Sequence, residues 1–175
     1  MSRQCEPQLD RRTFLTTSGA GAGALAVGAP GLLAVTRRPS ASGRGPRRAV
    51  ARWLEGYRLA WVQRDPDAAA ALFTPKAVYQ EQAFQPAYVG REAIRGYWET
   101  VTATQSDIEL RYGRAVVARR KAAVEWWVNL RNDGAEVTLA GEFLLTFARG
   151  GLCKSLREYW FFTDGRLAPP PGWGE

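Results

Sequence analysis

The sequence predicts an α+β domain, an antiparallel sheet covered on one side by helices, preceded by a segment that stands outside the fold. Three observations carry this. Apolar residues recur at three- and four-residue spacing between Val50 and Val101, and after Ser106 they alternate with polar ones. The chain before them pairs two arginines with an apolar run heavily diluted by Gly and Ala.

The helices come first. Val50, Trp53, Leu54, Tyr57 and Trp61 fall on one helical face and Arg52, Glu55, Arg58 and Gln63 on the other, until Asp65-Pro66 ends the pattern. Asp65 is placed to cap a short second helix with Pro66 at its first position, running through Ala68 to Ala71 to Leu72 and Phe73 before Thr74-Pro75 breaks it. A third helix follows Gly90, with Ile94, Tyr97, Trp98 and Val101 on its apolar face and Glu92 in the first turn, where the helix dipole favours an acid.

Four long strands are predicted next, at 107–118, 122–131, 136–148 and 152–163. Asn132-Asp133-Gly134 and Arg149-Gly150-Gly151 have hairpin-turn composition, because Gly adopts positive φ at little cost, and Arg119-Arg120-Lys121 is a polar turn. On the second strand Val124, Trp126, Val128 and Leu130 should face inward, with Glu125, Trp127, Asn129 and Arg131 outward. An outward Trp127 calls for a dimer contact or cover from the C-terminal tail, whose Pro169, Pro170 and Pro171 cannot continue a strand.

The stretch DRRTFLT at 10–16 resembles a twin-arginine export signal, and it divides the chain into a signal peptide at 1–42, a linker at 43–48 and one domain at 49–175. Ser40-Ala41-Ser42 offers small residues for cleavage. Interruptions at Gly19, Gly21, Gly23, Gly28, Pro30 and Gly31 argue against a stable membrane span. The expectation is export to the periplasm or beyond, with membrane association if the leader stays attached. The 24 Lys and Arg against 17 Asp and Glu suggest an anionic partner, but most of the excess lies before Ala49 and the domain is nearly neutral. Nucleic-acid binding is therefore rejected. Cys5 falls in the leader and Cys153 stands alone, so the mature chain can form no internal disulfide.

The order of helix, short helix, AVYQEQAF (77–84), GREAIRGYW (90–98), and strands bearing VEWWVNL (124–130), GEFLLTF (141–147) and SLREYWFF (155–162) resembles the nuclear transport factor 2-like superfamily, and within it the SnoaL-like proteins. The resemblance implies a cone, a strongly curved antiparallel sheet wrapped around the three N-terminal helices over a largely apolar cavity, often in a homodimer. It implies a fold better than a function, because the same cone serves isomerases, dehydratases, epoxide hydrolases, cyclases and proteins that only bind.

Chemistry has to come from the site. The chain has no histidine, which removes Ser-His-Asp and Cys-His schemes and His-containing zinc sites; no cofactor or metal is expected. Carboxylates and phenols remain, and an apolar cavity raises a carboxyl pKa toward neutrality. The catalytic candidates are Glu81, Glu142 and Tyr79. Tyr79 and Glu81 share a strand face, which lines the pocket or else leaves Glu81 in solvent. Glu142 interrupts an apolar strand, either as a pocket acid or in a pair with Arg157. Arg157 and Glu158 are adjacent, so only one can point inward, and alternation does not select which.

The ligand-binding candidates are Tyr79, Phe84, Tyr97, Trp98, Trp126, Glu142 and Tyr159, each of which can equally be core packing. Two readings stay open. One is a module that binds a small apolar molecule; the other is an isomerase, dehydratase or cyclase using a pocket carboxylate and tyrosine for proton transfer.

Overall fold

Helix α1 (Arg44–Gln63) buries the face read from the sequence, with Val50, Trp53, Leu54, Tyr57 and Trp61 all inside. In this computed structural model residues 44–175 are described, so the twin-arginine stretch, the apolar run and Cys5 lie outside the described residues. The helix begins at Arg44, within the stretch read as a linker; Pro46 is compatible because a first-turn N–H has no intrahelical acceptor.

Asp65 caps α2 (Pro66–Ala71) as expected, its carboxylate accepting the Ala68 N–H at 2.9 Å with Pro66 in the first turn. The reading fails at the far end. Leu72 is the C-cap, and Phe73 opens strand β1 (Phe73–Gln80), so Thr74-Pro75 lies within a strand instead of breaking a helix. Proline is tolerated there because the β1 ladder is irregular between Phe73 and Val78, and no paired N–H is lost. Strand β2 (Tyr88–Val89) and Gly90, at φ 89°, then turn the chain into α3 (Arg91–Thr102).

The sheet continues with β3 (Gln105–Tyr112), β4 (Val116–Ala118), β5 (Lys121–Asn132), β6 (Ala135–Phe147) and β7 (Cys153–Asp164). Its order is β2-β1-β7-β6-β5-β3, with β4 also on β5, and the helices cover one face, giving the mixed α+β architecture with a curved open sheet that the sequence predicts. Two details differ from expectation. β1 runs parallel to β7, so the sheet is not wholly antiparallel. The segment read as one strand at 107–118 is two, both paired to β5 and interrupted at Gly113.

The C-terminal tail causes that interruption. Arg114 donates its backbone N–H to the Gly174 carbonyl at 2.6 Å, and a Cβ on Gly113 would lie 2.7 Å from the Gly174 Cα. Two glycines meet where no side chain fits. The same tail covers Trp127, whose indole N–H donates to the Leu167 carbonyl at 3.0 Å and whose ring sits 5.9 Å from that of Trp173.

Curvature has a specific residue behind it. Gly141 stands at the middle of β6, paired with Trp126 on one side and Trp160 on the other. A Cβ there would lie 2.5 Å from the Tyr159 carbonyl oxygen and 2.8 Å from the Trp126 ring. Only glycine lets the strands draw together so that Trp126 tucks beneath them. The aromatic core follows: Trp126 and Phe143 stand 5.4 Å apart, Tyr57 and Trp98 5.1 Å, and Trp61 and Trp98 5.5 Å.

Candidate functional site

Between the helices and the concave face of the sheet lies a cavity of about 300 Å³. Its rim is at Asn132 and Phe162, both exposed, and its walls include Trp61, Tyr97, Leu130 and Trp160; Glu158 and Trp126, both buried, line it too. The walls are mostly apolar with a few placed polar groups, which is the general character of a small-molecule site.

Alternation along β7 decides between the neighbours that the sequence left open. Leu156 and Glu158 are buried, so Glu158 points inward, and Arg157 lies on the outer face. The Glu158 side chain is almost sealed, with 6% of the residue exposed. Its Oε1 accepts a hydrogen bond from the Tyr79 hydroxyl and another from the Tyr57 hydroxyl at 3.3 Å, while the two hydroxyls stand 2.9 Å apart. One oxygen thus carries both phenols. The other, Oε2, makes no hydrogen bond with the described residues.

Burial pushes the Glu158 carboxyl up to about 8, against the pull of the Tyr79 hydrogen bond, and the Glu81 charge adds to the rise. At neutral pH it is largely a neutral acid. Tyr57 and Tyr79 are pushed well above the usual phenol range, first by burial and then by the Glu158 charge, so both stay protonated donors. Tyr97 is raised for the same first reason. Glu81, just beyond the end of β1 and only half-buried, also lines the cavity; partial burial raises its carboxyl, with the Trp160 indole opposing.

The sequence-derived candidates separate by position. Tyr79, Glu81, Tyr97 and Trp126 converge at the cavity or at the carboxyl beneath it. Trp98 is 2% exposed and packs between Tyr57 and Trp61, in the core. Glu142, Tyr159 and Phe84 lie elsewhere. Glu142 sits on the outer sheet face, opposite Phe143 in the alternation, with Tyr159 beside it in register, and it forms no ion pair with Arg157 among the described residues. Phe84 is 99% exposed in the segment after β1.

Glu158 itself, left undecided against Arg157, is not among the sequence-derived candidates, and neither are Tyr57 and Gln105. Tyr57 reads there as one more apolar position of α1. Gln105 carries no signal, although it is buried, lines the cavity and accepts the Trp61 indole N–H on Oε1 at 2.7 Å. Among the described residues no three His, Cys, Asp or Glu side chains converge as a metal site would need, and no helix is long and apolar enough to cross a membrane.

The Glu158 shift makes a stability prediction. A carboxyl whose folded pKa lies above its unfolded value binds more protons in the native state, so its stabilising contribution is complete below the unfolded pKa and is lost as pH rises toward about 8. Urea denaturation from pH 4.5 to 8.5 should show that decline, roughly 3–5 kcal/mol in all by the linkage relation. Glu158→Gln, which cannot ionise, should remove most of it; an unchanged slope in the variant would place the titration elsewhere.

Comparison with known proteins agrees with this architecture. The SnoaL-like domain profile matches residues 48–155, ending just before Glu158. No functionally curated protein matches the sequence. Among solved structures, the chain is similar to the epoxide hydrolase/cyclase-like enzyme SalBIII, described for pyran ring formation in the polyether salinomycin, at 17% identity and TM-score 0.60, covering 70% of this chain and 98% of that one. It is similar to a putative scytalone dehydratase from Novosphingobium aromaticivorans at 19% identity and TM-score 0.59, covering 77% and 98%. A hypothetical protein of ketosteroid isomerase-like fold from Catenulispora acidiphila, in complex with trimethylamine, gives 23% identity and TM-score 0.55, covering 61% and 83%. At these identities the likeness is one of fold, while the profile covers more than half of the sequence. The chain belongs to the SnoaL-like domain family.

Proposed function

We infer that the cavity binds a small, uncharged, largely apolar molecule bearing an oxygen, and that Glu158 and Glu81 move a proton on it. One observation carries the reading: a buried carboxyl holds two tyrosine hydroxyls on Oε1 and leaves Oε2 free beside the cavity. With Oε1 occupied by two donors, the proton of the neutral acid belongs on Oε2, where it can be given to a bound oxygen. Glu81, less buried, ionises first and supplies the base. Two carboxyls whose surroundings separate their pKa values are an acid and a base at one pH.

On a ketone, the Glu81 carboxylate removes a proton from the carbon beside the carbonyl, while Glu158 Oε2–H donates to the carbonyl oxygen and stabilises the negative charge that develops there. Where the ketone is β,γ-unsaturated, return of that proton to the γ-carbon completes an isomerisation. Departure of a β-hydroxyl as water, carrying the Glu158 proton, completes a dehydration. The enzyme names among the structural neighbours belong to the same broad class of acid–base chemistry at oxygen-bearing carbon, which supports the reading without choosing among its members.

Exchange of the protons beside the carbonyl of 1-decalone in deuterated water, followed by mass spectrometry, tests this without knowledge of the natural substrate. The rate should be bell-shaped, rising as Glu81 ionises and falling above about pH 8 as Glu158 loses its proton. Glu81→Gln should lower it roughly 10²–10⁴-fold. Glu158→Gln, still a donor, should lose the alkaline limb. A panel of apolar ketones that neither exchanges nor raises the melting temperature would remove the proposal.

Two further expectations belong to the reading. Export by the twin-arginine route follows from Arg11-Arg12 and the weak apolar run after them. A folded reporter fused to residues 1–42 should be exported, and Lys-Lys at these positions should keep it inside; continued export would exclude the route. A homodimer is supported by the outer sheet face, where Phe161 is 76% exposed and Tyr159 47%. The domain should have twice its chain mass in solution, and Phe161→Glu should halve it; a monomeric parent would exclude the pairing.

A further inference from the structure

Gln105 opens β3 and faces Asn132 of β5 directly across the ladder, so the two carboxamides stand side by side at the cavity. The Gln105 amide is held in one orientation. An indole N–H can only donate, so the oxygen must be the atom that meets Trp61 Nε1, and the amide nitrogen is the end left over. The backbone is tied as well, Arg64 Nη1 donating to the Gln105 carbonyl at 3.2 Å. Gln105 is 8% exposed, yet its Nε2 meets no acceptor among the described residues. Asn132 repeats the arrangement on the rim, its Oδ1 taking the Thr104 hydroxyl at 2.7 Å and its Nδ2 unpartnered.

The amide nitrogen is thus a donor end open to the cavity, with its N–H groups available to an acceptor there. Here the donors line a mostly apolar cavity that also holds the two carboxyls, the Tyr97 hydroxyl and the indoles of Trp126 and Trp160. Leu130, Val137 and Leu139 supply apolar wall between. We propose that Gln105 is a specificity-determining residue and that the ligand carries two acceptor oxygens on an apolar body, one held by the Gln105 amide while the other meets Glu158. Asn132 assists at the rim. The substrate class is thus a compact, uncharged dioxygenated molecule such as a diketone, hydroxyketone or keto-ether, and a monoketone fills the site with one donor pair idle. This rests on the acid–base reading of the cavity and adds to it the second point of attachment.

The test uses two compounds of nearly equal shape, decalin-1,5-dione and 1-decalone, with affinities measured by ligand-observed NMR on the wild-type domain, Gln105→Glu and Glu158→Gln. Gln105→Glu keeps an oxygen for the Trp61 indole but replaces the donor end with an acceptor. Wild type should prefer the dione by about five- to tenfold, the worth of one good hydrogen bond. Gln105→Glu should abolish or reverse the preference, read as the ratio of the two affinities within each protein. If that variant does not fold, Asn132→Asp on the exposed rim should reduce the preference in the same direction. Equal binding of the two compounds by wild type, or a preference that survives both substitutions, overturns the assignment of Gln105; if Glu158→Gln still changes 1-decalone binding, the acid–base reading stands without it. Failure of both compounds to bind overturns both.

Discussion

Glu158 has its carboxyl taken out of water, and the arrangement around it determines what the rest of the molecule must do. An ionised carboxylate in such a place costs several kcal/mol. The protein lowers that cost in two ways: the acid stays neutral to about pH 8, and two phenols from different elements donate to it. Tyr57 arrives from α1 and Tyr79 from β1, so the carboxyl on β7 is held only when α1, β1 and β7 are all in place. The polar cluster thus sits where three parts of the fold meet, and it specifies their relative position.

The sheet in turn must bend for the carboxyl to face a space instead of a packed interior. Gly141 allows the bend by removing the one side chain that would stand between Trp126 and β7. Trp126 then fills the floor of the hollow and Trp61 and Trp160 its sides, while the hollow itself stays open above Glu158. Large rings are suited to this, because each covers much wall with little conformational freedom to lose. The tail, locked by the Gly113–Gly174 approach and the Trp127 indole, covers the outer side of the same bent strands.

Much of this was legible in the sequence. The three helices, the Asp65 cap and the inward set on β5 follow from periodicity and composition alone, and of the two covers expected for Trp127, a dimer partner or the tail, the structure shows the tail. What failed did so for identifiable reasons. Pro75 looks like a helix stop because its ring cannot be distinguished from a breaker without knowing that its ladder is already irregular. The break at Gly113 is imposed by a residue more than sixty positions away. Glu158 could not be chosen over Arg157, since alternation fixes that they differ and not which is inside. Glu142 looks anomalous in an apolar strand, yet the strand has an outer face that is itself partly apolar, with Leu144 and Tyr159 nearby, so an acid there is ordinary.

Tyr57, missed along with Glu158, shows why function is harder to read than fold. In the helical pattern it is apolar and its ring does pack against Trp53, Trp98 and Phe143. Its hydroxyl matters only because the topology brings β1 and β7 to the same point. A phenol is apolar along its body and a donor at its tip, so a position that satisfies the core also supplies the acid's second hydrogen bond. Gln105 works by the same economy of parts: one end of the amide completes an internal bond to Trp61, and that bond orients the other end toward the cavity. In both cases the group that packs and the group that binds are one side chain. Spacing along the sequence reports the first role, and only the meeting of strands in space reports the second.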